Sequence, residues 1–182
     1  MRHRNSCSEL LRRPTRPHDL PIPAPLHLHA DYQLAEIMAA MGVVDPKSTK
    51  LVRPQAGVFW HQRYSSDLFF ITLDKSEKDY SPTTMYKDFP ISQVLFHWQS
   101  QNRTRADSAT GQRYLHHAKR GSHILLFVRQ THKDGRGETA PYTFLGPATY
   151  VTHQGERPMS ITWRMHHPMP AELFEEMKVA AG

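Results

Sequence analysis

From residue 56 to residue 166, apolar side chains come in short β-branched and aromatic runs broken by Gly, Pro, Asn and Asp, the pattern of strands rather than of helices. Six strands are predicted, over 57–61, 67–73, 94–99, 123–129, 142–151 and 160–165. Helices flank them on both sides. Leu34, Ile37, Met38 and Met41 recur at helical spacing behind Asp31, which suits an N-cap, and ahead of Gly42, a helix stop, so an amphipathic helix is predicted over 31–42. Leu173, Phe174 and Met177 mark one face of a C-terminal helix over about 170–180.

The runs "HILLFVRQ" and "PYTFLGPATYV" flank "THKDGRGET", whose Asp134-Gly135 and Arg136-Gly137 steps are turn signals. These two strands should pair antiparallel across a long hairpin loop. Gly146-Pro147 in the middle of the second run suits a bulge or a barrel corner. The sum is an α+β fold, a small, mostly antiparallel β-barrel with flanking helices. Ahead of it, Arg2, Arg4, Arg12, Arg13 and Arg16 interleave with Pro14, Pro17, Pro21, Pro23 and Pro25, a composition that blocks helix and strand alike. A flexible basic arm is therefore expected over 1–30 and one domain over 31–182, with no internal repeat.

With 182 residues there is room for one core. Lys and Arg number 23 against 17 acidic residues, a net charge of +6 that favours a polyanionic partner. A lone cysteine, Cys7, excludes an internal disulfide and a Cys-cluster zinc site, which fits a reducing cytoplasm. No run approaches the roughly 18 apolar residues of a membrane span, and the N-terminal arginines are not followed by the apolar segment of a leader. A soluble, cytoplasmic protein is expected.

Catalytic motifs are hard to find. His117-Ala118-Lys119 begins like the His-x-Lys motif of phospholipase-D-type phosphodiesterases, but Ile124 stands where that motif needs an Asp, and the chain has no second copy. His116, His117 and Lys119 are expected on a solvated loop or against phosphate. The pairs His27/His29, His116/His117 and His166/His167 lack His-Glu-x-x-His spacing and Cys neighbours, and consecutive strand residues face opposite ways, so neither metal nor cofactor is expected. Walker, Gly-x-Gly-x-x-Gly and Gly-x-Ser-x-Gly motifs are absent from the sequence, and no catalytic residue is assigned.

The stretch from Thr72 to Arg105 has a different composition: Tyr80, Tyr86, Phe89, Phe96 and Trp98 are interleaved with Lys75, Lys78, Lys87, Arg103 and Arg105. Aromatic faces stack a nucleobase at about 1–3 kcal/mol each, amides and carboxylates read its edge, and cations hold phosphates. In "LFHWQSQ" one strand face carries Phe96, Trp98 and Ser100 and the other carries Leu95, His97, Gln99 and Gln101. The first face leans to the core, the second to a pocket. The candidate base pocket is Tyr80, Ser81, Tyr86, Asp88, Trp98, Gln99 and Gln101, with Asp88 accepting from an exocyclic amine such as cytosine N4. Candidate phosphate contacts are Lys75, Lys78, Lys87, Arg103, Arg105, Lys119 and Arg120.

"TLDKSEKDYSPTTMYKD", "FHWQSQN", "GQRYLHH", "LLFVRQ", "PYTFLGPA" and "MSITW" occur in this order, and through them the chain resembles a bacterial family long filed as a domain of unknown function. That family is similar to the C-terminal domain of modification-dependent restriction proteins, where it follows a phospholipase-D-type nuclease and a helicase, and to the SET-and-RING-associated domain, a PUA-like barrel that flips and reads 5-methylcytosine. The resemblance covers about 31–182 and leaves the arm unmatched. It implies a reader of 5-methyl- or 5-hydroxymethylcytosine in double-stranded DNA. The nuclease and helicase have no counterpart in these residues, so restriction activity is not expected of this chain alone; a separate nuclease or helicase subunit would be the partner. Three other classes compete, a PUA-like RNA-binding domain, a metal-dependent nuclease using the His clusters with Asp74, Glu77, Asp79 and Asp88, and a purely structural interaction domain.

Overall fold

The computed structural model describes residues 20–43, 52–74 and 87–182. Eight strands form one sheet, in the hydrogen-bonded order β2-β3-β6-β7-β8-β5-β4 with β1 added on β7. They are β1 (Asp31–Tyr32), β2 (Val58–His61), β3 (Ser66–Thr72), β4 (Phe89–Pro90), β5 (Leu95–Gln99), β6 (His123–Arg129), β7 (Tyr142–Gln154) and β8 (Ser160–Met165). All neighbours are antiparallel except β3 and β6, which run parallel from Ser66 beside His123 to Thr72 beside Arg129. Three helices complete the fold: α1 (Leu34–Ala40), α2 (Ala109–Leu115) and α3 (Ala171–Ala181).

The predicted hairpin is present: β6 and β7 pair antiparallel, and Asp134 closes the turn by accepting the Arg136 and Glu138 N–H groups at 2.9 Å each. The register slips where Leu126 faces Gly146 and Phe127 faces Phe144, a bulge at the predicted Gly146. Gly146 sits at φ +92°, and a Cβ there would run into the Leu28 side chain. A second slip between Tyr150 and Thr152 lets the long β7 leave β6 and continue along β8.

These bulges accompany a strong curl. β3 and β5 are separated in the ladder by β6, β7 and β8, yet the Phe69 and Trp98 rings stack across the interior at 4.2 Å. That interior is one apolar cluster, with Phe69, Phe96, Trp98, Tyr114, Ile161, Trp163, Leu173 and Met177, and α2 and α3 seal it. The curl does not finish as a ladder: the order has two ends, β2 and β4, and the closed barrel expected from the sequence is not shown. The architecture is α+β with an open, mostly antiparallel sheet. A side chain bridges the seam, since Gln101 Nε2 donates to the Gln55 and Ala56 carbonyls at 3.3 and 3.0 Å.

Local predictions shift at three places. The helix predicted over 31–42 is shorter, because Asp31 and Tyr32 pair with Thr143 and Tyr142, and Asp31 takes the Thr143 hydroxyl at 2.6 Å instead of capping. Glu36 closes the real helix start by accepting the Gln33 N–H at 2.6 Å. Helix α2 is absent from the sequence reading because Thr110 and Gly111 are weak helix formers. Its signal was Ser108, whose hydroxyl accepts the Gly111 N–H at 3.0 Å. Gly111 is there because a Cβ would collide with the Arg105 carbonyl. Finally, the stretch read as an arm is packed from residue 20 to residue 30: Ile22, Ala24, Leu26 and Leu28 are buried with Ile37, Met38 and Phe70 on the outer face of the sheet. Prolines bar a full ladder, but short bonds from Ala24 N–H to the Ile22 carbonyl and from Leu26 N–H to the Ala24 carbonyl keep the chain extended with every second side chain inward.

Candidate functional site

A cleft of about 1360 Å³ opens where the curled sheet fails to close. One side is Gln55–Gly57 with Phe70, Ile71 and Thr72; the other is Asp88, Trp98, Gln99, Gln101 and Arg103; the nearly buried Arg129 and Tyr142 complete it. Four of the pocket residues predicted from sequence therefore meet in one place. Tyr80, Ser81 and Tyr86, with Lys75 and Lys78, lie outside the described residues.

What those four side chains do is partly structural. Trp98 is 5% exposed and stacked on Phe69, so it is chiefly a core residue with one edge on the cleft, as its shared face with Phe96 implied. The Gln99 amide is spent at both ends, its oxygen accepting the Lys87 N–H at 2.9 Å and its nitrogen donating to the Ser160 hydroxyl at 3.2 Å. Gln101 donates across the seam. The buried Asp88 accepts the Gln99 N–H through Oδ1 at 2.9 Å. The alternation in "LFHWQSQ" gives Gln99 and Gln101 a shared strand face; what it does not reveal is that the two glutamines hold the walls together.

The predicted phosphate contacts separate. Arg103 lines the cleft and the exposed Lys87 adjoins it through Asp88. Arg105 pairs with Asp107 at 2.9 Å, both well exposed. Lys119 and Arg120 sit just before β6, whereas Arg129 ends it; seven residues at about 3.3 Å each put roughly 20 Å between them. They belong to the other end of the molecule.

Three cleft arginines had gone unassigned. Arg53 and Arg157 are exposed at the cleft, and Arg129 is 7% exposed within it. With Arg103, four guanidinium groups face a single carboxylate, Asp88, among the described lining residues. The lining thus carries four cations against one acid, half of the chain's net charge of +6 gathered in one cleft, which suits a polyanion more than bulk charge alone would.

The opposite end of β3 and β6 is built differently. The fully buried Asp67 receives a two-pronged bond from Arg113 of α2, at 2.7 and 2.9 Å, and the guanidinium lies 4.4 Å from the Trp60 ring centre. Burial pushes the Asp67 carboxyl above its ordinary value, against the pull of Arg113. His117, expected on a solvated loop, is 4% exposed: Nδ1 lies 3.2 Å from the Ser122 carbonyl and Nε2 accepts the Tyr150 N–H at 3.1 Å. Donation through Nδ1 leaves Nε2 as the acceptor, so the neutral ring satisfies both contacts, and burial holds the imidazole below its ordinary pKa. Ile124 is likewise buried in the core. Among the described residues no group of three His, Cys, Asp or Glu is arranged to hold a metal ion.

The fold and site together define a small α+β domain with a cationic cleft at the open seam of its sheet. The chain belongs to the family described as a domain of unknown function, DUF3427, whose model matches residues 26–177. The match begins inside the packed segment at Leu26. A search of curated proteins found no match. No helix among the described residues is long and apolar enough to cross a membrane.

Proposed function

We propose that this domain binds DNA containing a modified cytosine, 5-methyl or 5-hydroxymethyl, by extruding the base into the seam cleft, and that it serves as the recognition module of a modification-dependent restriction system. One observation carries the reading: the cleft brings Asp88, Trp98, Gln99 and Gln101 together and surrounds them with four arginines. Asp88 is the acceptor assigned to the cytosine N4 amine, and Arg53 and Arg103, exposed at the cleft, are assigned to flanking phosphates. The curl of the sheet is in keeping with the resemblance to SET-and-RING-associated barrels. Extrusion costs a few kcal/mol, which stacking and edge hydrogen bonds must offset. The added methyl contributes only about 1 kcal/mol of apolar burial, so discrimination from plain cytosine is expected to be severalfold.

Competition binding tests it, with labelled duplexes carrying one 5-methylcytosine, 5-hydroxymethylcytosine or cytosine, and with RNA of the same sequence. The proposal expects a modified duplex to compete best and Asp88→Asn to narrow the margin. Equal affinity for all duplexes with a steep salt slope would reduce the protein to a phosphate binder, and preference for RNA would move it to another class.

A further inference from the structure

Two arginines reach into the interior from neighbouring parts of the fold, and among the described residues only one of them has an anion. Arg113 has Asp67. Arg129, 7% exposed, has neutral partners among the described residues: Nε donates to the Thr72 hydroxyl at 2.9 Å, one terminal nitrogen donates to the Ala140 carbonyl at 3.3 Å, and the guanidinium lies 4.4 Å from the Tyr142 ring centre. Among the described residues no carboxylate pairs with it. The guanidinium carries five N–H donors, and these contacts leave its second terminal nitrogen without an acceptor.

A charge taken out of water without a counter-ion costs several kcal/mol, and a neutral side chain could close the end of β6 at no such cost. No nitrogen of Arg129 is both fully buried and unpartnered, so its unpartnered terminal nitrogen is open to the cleft, whereas Nδ1 of His132, also on the cleft lining, is buried with no hydrogen-bond partner. Ala140 ties the two together, its carbonyl taking Arg129 and its N–H donating to the His132 carbonyl at 3.0 Å. Tyr142 supplies a face for the cation but no charge.

We infer that Arg129 is the receptor of an oxyanion subsite inside the cleft, completed by ligand. The inference rests on the base-reading proposal for what enters the cleft. Two parts of such a ligand carry the chemistry: the phosphodiester beside the extruded nucleotide, and a carboxylate at position 5 of the cytosine. The exposed cleft arginines Arg53, Arg103 and Arg157 remain for the flanking phosphates.

A binding cycle on the full chain tests this, using Arg129→Gln and Arg129→Lys against duplexes bearing cytosine, 5-methylcytosine or 5-carboxylcytosine. Each duplex is made with ordinary phosphates and with uncharged methylphosphonates flanking that cytosine, and melting curves accompany each variant. Arg129→Gln is expected to lose about tenfold or more where the oxyanion is present, and Arg129→Lys to keep part, because an ammonium retains the charge without the fork. With phosphate as the source, the loss disappears on the methylphosphonate duplexes whatever the base. With the carboxylate as the source, the loss is confined to 5-carboxylcytosine and survives methylphosphonate. A folded Arg129→Gln protein that binds every duplex like the parent, or loses equally on all of them, overturns the subsite. If Arg129→Gln does not fold, the same comparison is read from Arg129→Lys. Equal affinity of the parent for cytosine and its modified forms would instead defeat the base-reading proposal, while a phosphate-dependent loss at Arg129 would still stand.

Discussion

The two ends of the parallel pair β3–β6 solve the same problem in opposite ways. At the Ser66 and His123 end, two buried titratable groups have their complements inside the protein: Asp67 has Arg113, and His117 lies between the Ser122 carbonyl and the Tyr150 N–H. At the Thr72 and Arg129 end, the cationic groups outnumber their acids, and the buried guanidinium rests on a hydroxyl, a carbonyl and a ring. The first end is self-sufficient and holds the fold. At the second, no carboxylate among the described residues pairs with the buried guanidinium, and this is the end where the proposed ligand would enter.

Breaking the self-sufficient end should cost most. Asp67→Asn leaves Arg113 without its anion beside a carboxamide, and urea unfolding should show a loss of about 3 kcal/mol, with unchanged discrimination between DNA substrates in the protein that remains folded. A loss below about 1 kcal/mol would place this pair among ordinary surface ion pairs. Gly146→Ala comes next, since the new Cβ meets Leu28 at a left-handed backbone position; about 2 kcal/mol of stability should go, with faster proteolysis ahead of Ala30.

Arg103→Ala should weaken all DNA about fivefold and lower the salt slope by about one unit, whereas Lys119→Ala and Arg120→Ala, at the far end, should leave both almost unchanged. The reverse ranking would move the interface away from the cleft. The smallest effect is that of pH. Burial holds His117, His123 and His166 below their ordinary value of 6.5. The unfolded chain therefore binds protons more readily than the folded one, so the melting temperature should be flat above neutrality and decline as pH falls below about 6.5. His117→Asn should flatten that decline.

The two ends were also unequally legible. β5 and the β6–β7 hairpin could be read because period-two alternation and Asp-Gly steps are local signals. Gln99 and Gln101 could be placed on one strand face for the same reason, whereas Asp88 was legible only as an acceptor by its chemistry. Arg129 could not: at the end of "HILLFVR" an arginine looks like the solvated terminus of an ordinary strand, and its burial comes from Thr72, Ala140 and Tyr142, which are far apart in sequence. The Asp67–Arg113 pair is equally non-local, and α2 was hidden by the glycine that lets it approach Arg105. Closure of the sheet depends on how far the bulges in β7 curl it, which no local pattern reports. The segment 20–30 shows how composition can mislead, because prolines that forbid a ladder still allow an extended chain with Ile22, Ala24, Leu26 and Leu28 pointing inward.

Hydrogen–deuterium exchange of the full chain, alone and saturated with a duplex carrying one 5-methylcytosine, locates the interface most directly. The account predicts slower exchange at 52–57, 100–104 and 131–139, around the cleft, with the loop at 116–122 unchanged. Protection confined to 116–122, with the cleft segments exchanging as in the free protein, would contradict it.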